Sequence, residues 1–317
     1  MQWIYDILSY PFGWILWLLY QVFGNNYAFA LIAFTVLTKI LLLPTSISTQ
    51  KNQAKSFRTR AKIEKIRKKY AGDQAKLNEE LQAFYQKEGY GSMTAGCGTL
   101  LIQMPIIMGL YGAIYKPLSY ILRLDKETVA ILTEKVKELN LVGKNVRLSE
   151  MGVLSNVDVL EEALPEIPAK VFAKISAFDF TILGFDLGAI PKQSMDIYGK
   201  KILMVPLFAF AAAMLTSIYS FFRTKTQTTD PTSKMSMGGM LLFMPFMSLL
   251  LAYGFPIGIG IYWGLNSFLA FIQMIILNKI YEPKKVIAKM MVEETVFRRS
   301  KEEAVKVNTK LLRENKI

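Results

Sequence analysis

Several apolar runs in the 317-residue chain approach or exceed the length needed to cross a lipid bilayer. A spanning helix needs about 20 mostly apolar residues, and a soluble domain does not carry such runs repeatedly. This feature constrains the fold more than any other. It predicts an all-α membrane protein with five transmembrane helices and argues against a soluble domain.

The apolar runs and the polar stretches between them divide the chain into ten segments. A basic stretch between the first two spans contains two amphipathic helices broken at Ala71-Gly72-Asp73, which predicts an antiparallel helical hairpin held by its apolar stripes. The expected segments are an interfacial helix (1–24), span one (25–49), the hairpin (50–91), span two (92–118), an insertion (119–200), span three (201–222), a short loop (223–237), span four (238–253), span five (254–281) and a basic tail (282–317).

The distribution of charge predicts the orientation of these segments. Residues 51–90 contain 11 Lys and Arg against 5 Asp and Glu, whereas residues 119–200 contain 10 against 12. Because positive charge collects on cytoplasmic loops, the hairpin is expected in the cytoplasm and the insertion outside. The N-terminus is then outside and the C-terminus inside.

Three segments carry further expectations. Residues 1–24 are rich in Trp and Tyr and contain Asp6, Pro11 and Gly13, which favours a helix lying on the membrane; a sixth span is the alternative. The insertion has one or two small apolar patches, too few to predict an independent core. The tail is helical and basic, and its simplest interpretation is a solvated, flexible segment.

Lys39 is the one charged residue in the middle of the first span. A charge inside a spanning helix costs about 2.5–3.5 kcal/mol on insertion scales, so we expect Lys39 to face a wet or protein-lined cavity. The alternative is a side chain that snorkels to the headgroups. That alternative is disfavoured because helical side chains lean toward the helix N-terminus, which here is the outer end.

Other polar residues lie in the spans and predict a hydrophilic groove around Lys39. Gln103 either bonds to another helix or faces this groove, and Trp263 is either a groove residue or part of the interfacial aromatic belt. Six methionines in or beside spans two and four would give the groove adaptable apolar neighbours. The expected groove residues are Lys39, Thr35, Gln103, Ser217, Ser220, Trp263, Asn266 and Gln273.

Composition argues against an enzyme and against a bound cofactor or metal. The chain has no histidine and one cysteine, Cys97, which removes histidine-based triads, intrachain disulfides and cysteine-rich metal sites. The spans contain no Asp or Glu of the kind that ion-coupled transporters place in the membrane. A nucleotide-binding Gly-x-x-x-x-Gly-Lys-Ser/Thr loop is also missing from the sequence.

Four motifs resemble those of the YidC/Oxa/Alb family of membrane protein insertases, in the short form without a large domain after a first helix. The likeness covers roughly residues 1–118 and 200–283 and includes the basic hairpin. The motifs are Leu37-Thr38-Lys39-Ile40-Leu41-Leu42-Leu43-Pro44, Leu101-Ile102-Gln103-Met104-Pro105-Ile106, Phe255-Pro256-Ile257-Gly258 and Tyr262-Trp263-Gly264-Leu265-Asn266.

The resemblance implies a five-helix bundle with a groove open to the cytoplasm and to lipid, in a bacterial plasma membrane. It implies a membrane protein insertase and chaperone that uses no ATP and binds nascent membrane proteins, with the ribosome, targeting factors, the Sec translocon and anionic lipids as partners. The chain departs from the family pattern in two places. Lys39 stands where arginine is more usual, which keeps the charge but not the bidentate donor geometry, and residues 119–200 are longer than the usual connection.

Two other classes of function are compatible with five spans. A small-solute channel or transporter would need a second polar cluster in the outer half of the membrane, which the sequence does not contain. A membrane scaffold with a basic hairpin leaves Lys39 without a role.

Overall fold

The computed structural model describes residues 2–87, 105–106, 108–141, 149–225 and 231–314. The chain forms two compact units, which we describe separately. The first contains residues 1–42 and 100–272, and the second contains residues 43–99 and 273–317.

Helices make up nearly all of the described secondary structure. The bundle and tail helices are α1 (Gln2–Val22), α2 (Tyr27–Leu41), α3 (Leu43–Lys69), α4 (Gln74–Lys87), α5 (108–115), α12 (Met204–Lys225), α13 (Pro231–Gly254), α14 (Ile257–Ile280) and α15 (Pro283–Glu314). The insertion contains α6 (Pro117–Tyr120), α7 (Lys126–Glu138), α8 (Ser149–Ser155), α9 (Val157–Ala163), α10 (Ala169–Ser176), β1 (Thr181–Ile182), β2 (Phe185–Asp186), α11 (Met195–Tyr198) and a 3₁₀ turn (Gly199–Leu203).

Two described helices are long and apolar enough to cross a membrane, and a third candidate is broken. The two are Met195–Phe222, which includes α12, and Ile257–Ile280, which is α14. The third joins α2 to the start of α3. The apolar parts described for α1 and α13, Ile7–Val22 and Phe243–Gly254, are shorter. The chain is therefore a helical membrane protein, and the count of five spans stays a prediction.

The first predicted span is not one straight helix. Helix α2 ends at Leu41, where the Leu42 N–H bonds to the Thr38 carbonyl, and α3 begins at Leu43 and runs on to Lys69. The chain thus enters a new helix inside the stretch 25–49 that was expected to be continuous. The predicted break at the hairpin tip is present, because α3 and α4 are separated by residues 70–73.

The insertion buries more apolar side chains than the one or two small patches that were expected, and these side chains belong to the same hydrophobic core as the bundle. Short helices α7 to α10 each contribute apolar side chains that are almost completely buried. Their sequences are short and interrupted by turns, so no helical period is long enough to reveal the shared core. The most buried members are Leu132, Val136, Val153, Leu160, Phe172 and Ile175.

The insertion also contains a pair of very short strands. Strands β1 and β2 pair antiparallel, with Thr181 opposite Asp186 and Ile182 opposite Phe185. The two turn residues, Leu183 and Gly184, both have positive φ, as a tight hairpin turn requires. The fold therefore contains a minimal β-hairpin within an otherwise helical chain.

The insertion covers one end of the bundle in the first unit. The N–H groups of Ile257 and Gly258, at the start of α14, donate to the carbonyls of Ala189 and Leu187. The Lys192 N–H donates to the Tyr253 carbonyl at the end of α13. These bonds satisfy backbone groups that helix ends otherwise leave without partners. The insertion is thereby fixed to the link between α13 and α14.

The same end of the bundle holds the start of α2. The Tyr27 ring lies 5.7 Å from Phe178 and 5.1 Å from Phe180, between centroids, and the ring of Tyr20 lies 5.3 Å from Phe178. Helices α2, α12 and α14 therefore begin at the insertion, and α5 and α13 end there. This alternation of chain direction is what an antiparallel bundle requires.

Helix α1 packs along the bundle and is continuous through Pro11. Its Phe12 ring meets Phe34 of α2 at 5.9 Å. Helix α5 also approaches α1 closely, at Gly109. A Cβ atom at that position would lie 2.1 Å from the Phe12 ring and 2.8 Å from the Leu8 carbonyl oxygen. Whether α1 lies on the membrane or spans it stays a prediction.

In the second unit, α15 packs against α3, so the tail is not a free flexible segment. The Gln50 side-chain amide, which is buried, donates to the buried Asn278 side chain, and the Lys51 ammonium lies 5.3 Å from the Tyr281 ring centroid. The sequence predicted helix here but not this contact. Residues 291–306 of α15 are exposed along their whole length.

Gly264 permits the close packing of α12 on α14, and replacing it is expected to destabilise the bundle. A Cβ there would lie 2.5 Å from the Phe208 ring and 3.4 Å from the Ala209 Cα. We expect Gly264→Val to lose about 1–3 kcal/mol of stability through overpacking, measured by thermal unfolding in detergent. Gly254→Val is the control, because nothing lies within 4 Å of that position. Equal melting temperatures for the two variants would contradict this packing.

Glu150 is a buried carboxylate in the insertion, and it should make stability depend on pH. Burial raises its pKa, although it accepts bonds from the Ser119 N–H (3.0 Å) and the Ser119 hydroxyl (2.7 Å). The folded state therefore holds this proton to higher pH than the unfolded chain, and its contribution to stability falls as the pH rises above the unfolded value.

A Glu150→Gln variant lacks this titration. Its melting temperature relative to the parent protein is expected to increase as the pH rises above the pKa of the unfolded chain, because only the parent protein loses stability there. Exposed Glu162→Gln, in the same insertion, is the control for replacing a carboxylate with an amide. A difference between Glu150→Gln and the parent protein that does not change with pH would mean that the buried carboxylate does not titrate with folding.

Candidate functional site

Lys39 lies in the last turn of α2 and is half-buried. It is twelve residues after Tyr27, which places it about 18 Å along the helix. If the span begins at Tyr27, the lysine is beyond the midplane of a core about 30 Å thick. A cation in the last turn also interacts favourably with the helix C-terminus, a stabilisation that follows from the break at Leu42 and that the sequence did not reveal.

Thr35, one turn before Lys39, is fully buried and bonded within its own helix. Its hydroxyl donates to the Leu31 carbonyl at 2.7 Å, and the hydroxyl of Thr38 donates to the Thr35 carbonyl at 2.8 Å. Both hydroxyl protons are used locally, so Thr35 and Thr38 offer acceptor oxygens rather than donors. Because both threonine hydroxyls donate within α2, Lys39 is the main hydrogen-bond donor that this part of the helix offers.

Helix α12 contributes Ser217 and Ser220. Ser217 is buried and Ser220 is half-buried, and the two are three residues apart on one side of the helix. Helix α12 packs against α13 along much of its length, including a contact between the rings of Phe210 and Phe246 at 5.3 Å. Packing against α13 therefore fixes the position of the helix that carries Ser217 and Ser220.

Helix α14 contributes Trp263 and Asn266, both half-buried. The indole N–H of Trp263 donates to the hydroxyl of Ser248 on α13 at 3.2 Å, and that hydroxyl lies 3.3 Å from the Met244 carbonyl, to which it donates. This bond joins two helices inside the bundle. Trp263 thus has a polar partner in the protein, which an aromatic belt residue at the lipid surface would not need.

Contacts between helices bring six of the eight predicted residues into the first unit. The ring of Phe34 on α2 lies 6.4 Å from Tyr262 on α14, and Tyr219 on α12 lies 6.1 Å from Phe271 on α14. Helices α2, α12 and α14, which carry these six residues, therefore belong to one packed body. The six are Thr35, Lys39, Ser217, Ser220, Trp263 and Asn266.

The remaining two predicted residues are not among these six. Gln273 is half-buried and falls in the second unit, and Gln103 lies outside the described residues. Whether the six residues line one open groove stays a prediction.

Sequence reasoning missed three polar residues inside the helices. Ser248 and Thr38 are buried and bonded as described above, and Asn278 is buried against Gln50 in the second unit. A polar side chain in an apolar helix is a signal that any of them could have given. Ser248 and Asn278 lie on other helices than Lys39, so sequence spacing alone could not place them beside it.

The chemistry available here is electrostatic rather than covalent. Helices α2, α12, α13 and α14 contain no Asp or Glu, so no acidic residue of these helices neutralises the charge of Lys39. The surrounding hydroxyl and amide groups can solvate a polar segment without holding it tightly. Such an arrangement attracts negative charge into a region that would otherwise exclude it.

Comparison with known proteins places the chain in a family. The model of the 60Kd inner membrane protein family matches residues 18–285, which include every residue discussed above. The chain is 24% identical over 290 residues to a membrane protein insertase YidC of Oceanobacillus iheyensis, covering 88% of this chain and 85% of that protein.

Other relatives are longer than the region matched. The chain is 23% identical over 279 residues to the membrane protein insertase YidC of Rickettsia africae, covering 87% of this chain but 39% of that protein. It is 34% identical over 111 residues to the membrane protein insertase YidC 2 of Listeria innocua, which covers 34% of this chain and 38% of that protein.

Proposed function

The chain belongs to the 60Kd inner membrane protein family, and from this premise we propose that it is a membrane protein insertase that works without hydrolysing ATP. The observation that carries the proposal is the position of Lys39, a lone cation beyond the midpoint of a bundle helix whose neighbours supply hydroxyl and amide groups. A small-solute channel is the weaker candidate, because the insertion-side half of the described bundle is apolar around Tyr27, Phe34 and Tyr262.

The first step is entry of the translocated segment of a substrate. A polar or acidic segment meets a groove whose proposed residues are Lys39, Thr35, Gln103, Ser217, Ser220, Trp263, Asn266 and Gln273. The groove opens to the cytoplasm and to lipid. Attraction to Lys39 offsets part of the cost of taking polar groups out of bulk water, and the wet groove shortens the apolar path that they cross.

The second step is release of the apolar helix of the substrate into lipid. Exposed apolar side chains cover the outer faces of α12 and α14, among them Leu215, Ile218, Phe268 and Ile272. A substrate helix sliding along this surface leaves water at a gain of about 0.8 kcal/mol for each buried CH₂ group. Apolar partitioning therefore supplies the driving force, and no cofactor is needed.

The basic segments of the second unit meet the partners. Helices α3 and α15 are rich in Lys and Arg, and their surfaces, with that of α4, would contact the nascent chain, the ribosome, targeting factors and anionic lipid. The Sec translocon is a further proposed partner. The protein acts as a chaperone in the same sense, since it holds a membrane segment before it folds.

Topology reporters test the proposed orientation in the bacterial plasma membrane. A reporter fused at Asp73, between α3 and α4, is expected to read cytoplasm. A reporter fused at Asp158, in α9 of the insertion, is expected to read the outside. Both reporters on the same side would overturn the arrangement of five spans with the N-terminus outside.

Depletion of the protein tests the function itself. Newly made membrane proteins are pulse-labelled and mapped with protease from the outside after depletion, and their protected fragments are expected to change because insertion fails. Restoring the protein from a plasmid should restore the pattern. Normal insertion under depletion, together with altered solute uptake, would favour the channel instead.

A further inference from the structure

The insertion carries an exposed apolar patch that the proposed function does not use. Its members are Leu183, at the tip of the β-hairpin, and Ile197, in α11. Their side chains are 83% and 77% exposed, the two largest values among the big apolar side chains of the described residues. Two such side chains, close together on a well-packed segment, point to a partner surface.

The two side chains belong to one neighbourhood. The ring of Phe185, two residues after Leu183, lies 5.5 Å from the ring of Tyr198, one residue after Ile197. The Asp186 N–H also approaches the Tyr198 hydroxyl at 3.4 Å. The hairpin tip and α11 are therefore held side by side, and both apolar side chains flank this contact.

Leu183 is an unusual residue for its backbone conformation. Its φ is +52°, in the left-handed region where glycine and asparagine are favoured. A tight hairpin turn of this kind ordinarily has Asn followed by Gly, and here Leu precedes Gly184. The left-handed backbone strains this leucine, and exposure to water provides no burial to offset the strain. Leu183 is therefore expected to contact something other than water in the working protein.

The patch lies where the spans begin. Phe180, three residues before Leu183, packs on Tyr27 at the first residue of α2. Ile197 is separated from Met204, at the start of α12, by a 3₁₀ turn of five residues, which spans about 10 Å. The headgroup layer on each face of a bilayer is of similar depth, about 5–8 Å.

The surface continues from the patch onto lipid. Met204 and Leu207 at the start of α12 are exposed apolar residues on a candidate span, so lipid tails cover them. Lys200 and Lys201 lie exposed between Ile197 and this surface. Asp196 is exposed on the other side of Ile197, so the positive charge lies only between the patch and the lipid-facing helix. An apolar patch joined by two lysines to such a helix matches the chemistry of an anionic membrane surface.

We propose that Leu183 and Ile197 dock the insertion into the headgroup layer of the leaflet in which α2 and α12 begin. The insertion then rests on the bilayer and holds the covered end of the bundle at a fixed depth. This role does not depend on what passes through the bundle, and it stands apart from the proposed insertase activity.

Lipid quenching of a site-specific fluorophore tests the docking. The full chain carries Cys97→Ser, which leaves one engineered cysteine at Leu183→Cys, Ile197→Cys or, as control, Val159→Cys. Val159 is a 47% exposed apolar residue in α9 of the same insertion. Each variant is labelled with an environment-sensitive dye and reconstituted in vesicles containing phosphatidylglycerol, with or without a lipid that carries a quencher near its headgroup.

We expect the lipid-borne quencher to reduce emission at positions 183 and 197 at least twofold more than at 159. Lys200→Gln with Lys201→Gln should weaken this difference in anionic vesicles and leave it unchanged in neutral ones. In the 197-labelled protein, Leu183→Asn should also reduce quenching, because asparagine fits the left-handed turn and preserves the fold.

Two results would overturn the proposal. Equal quenching of all three positions by aqueous iodide, with no effect of the lipid quencher, would show that the patch faces water. Protection from iodide without quenching by lipid would show that protein, not membrane, covers it.

Discussion

Insertion of a substrate whose translocated segment carries Asp or Glu is expected to fall at least tenfold in a Lys39→Glu variant. Two unit charges about 6 Å apart interact by about 0.7–3 kcal/mol, depending on how wet the groove is. Reversing the sign of one charge changes the energy by twice that amount, and about 1.4 kcal/mol corresponds to a factor of ten. The measurement is protease protection of a pulse-labelled substrate.

Two variants show whether the effect belongs to this charge at this position. Lys39→Arg keeps the positive charge and is expected to keep insertion, although arginine has a different donor geometry. Lys279→Glu places the same change in the last turn of α14, where the lysine is exposed, and is expected to leave insertion near normal. Normal insertion by Lys39→Glu at equal protein levels would show that the charge of Lys39 has no role in insertion.

Removing residues 56–84 is expected to lower insertion by at least tenfold, a loss equivalent to about 1.4 kcal/mol, while leaving a folded membrane protein. The deletion removes the second half of α3 and most of α4, and with them most of the basic hairpin surface. It keeps Gln50 and Lys51, which hold the start of α3 to Asn278 and Tyr281. The remaining stub is therefore expected to stay packed.

Protein amount, detergent stability and insertion are measured together for this deletion. A second variant replaces the same 29 positions with a Gly/Ser segment of equal length, which keeps the connection but not the helices. Both variants should fail alike if the helical surface is what partners bind. Full insertion by either one would mean that the hairpin is dispensable.

The sequence predicted the parts of the fold that depend on long, regular patterns. Helices α12 and α14 follow from apolar runs, and the break at 70–73 follows from Gly72 between two amphipathic stretches. The break at Leu42 was not predictable in the same way. Residues 40–43 are all Ile or Leu, and nothing in their pattern marks a helix end before Pro44.

The packing of the insertion could not be predicted from the sequence. Its core is assembled from short helices that each supply one to three buried side chains, so no segment has a readable period of its own. The bonds from Ile257 to Ala189 and from Gly258 to Leu187 involve only backbone atoms, so residue identity does not reveal them. Of the candidate site, Lys39 was predictable because a charge in an apolar run is costly, whereas Ser248 became visible only through its bond to Trp263.

Reconstitution with a pair of matched substrates tests the central claim most directly. The purified protein, or its Lys39→Ala variant, is placed in vesicles without nucleotide and given a single-span substrate with an acidic or a neutralised translocated segment. We expect both substrates to insert better into vesicles that contain the parent protein than into empty vesicles. The Lys39→Ala variant is expected to lose most of this increase in insertion for the acidic substrate but little of it for the neutral one. Equal insertion of the acidic substrate by the parent protein and by Lys39→Ala, or no gain over empty vesicles, would contradict this expectation.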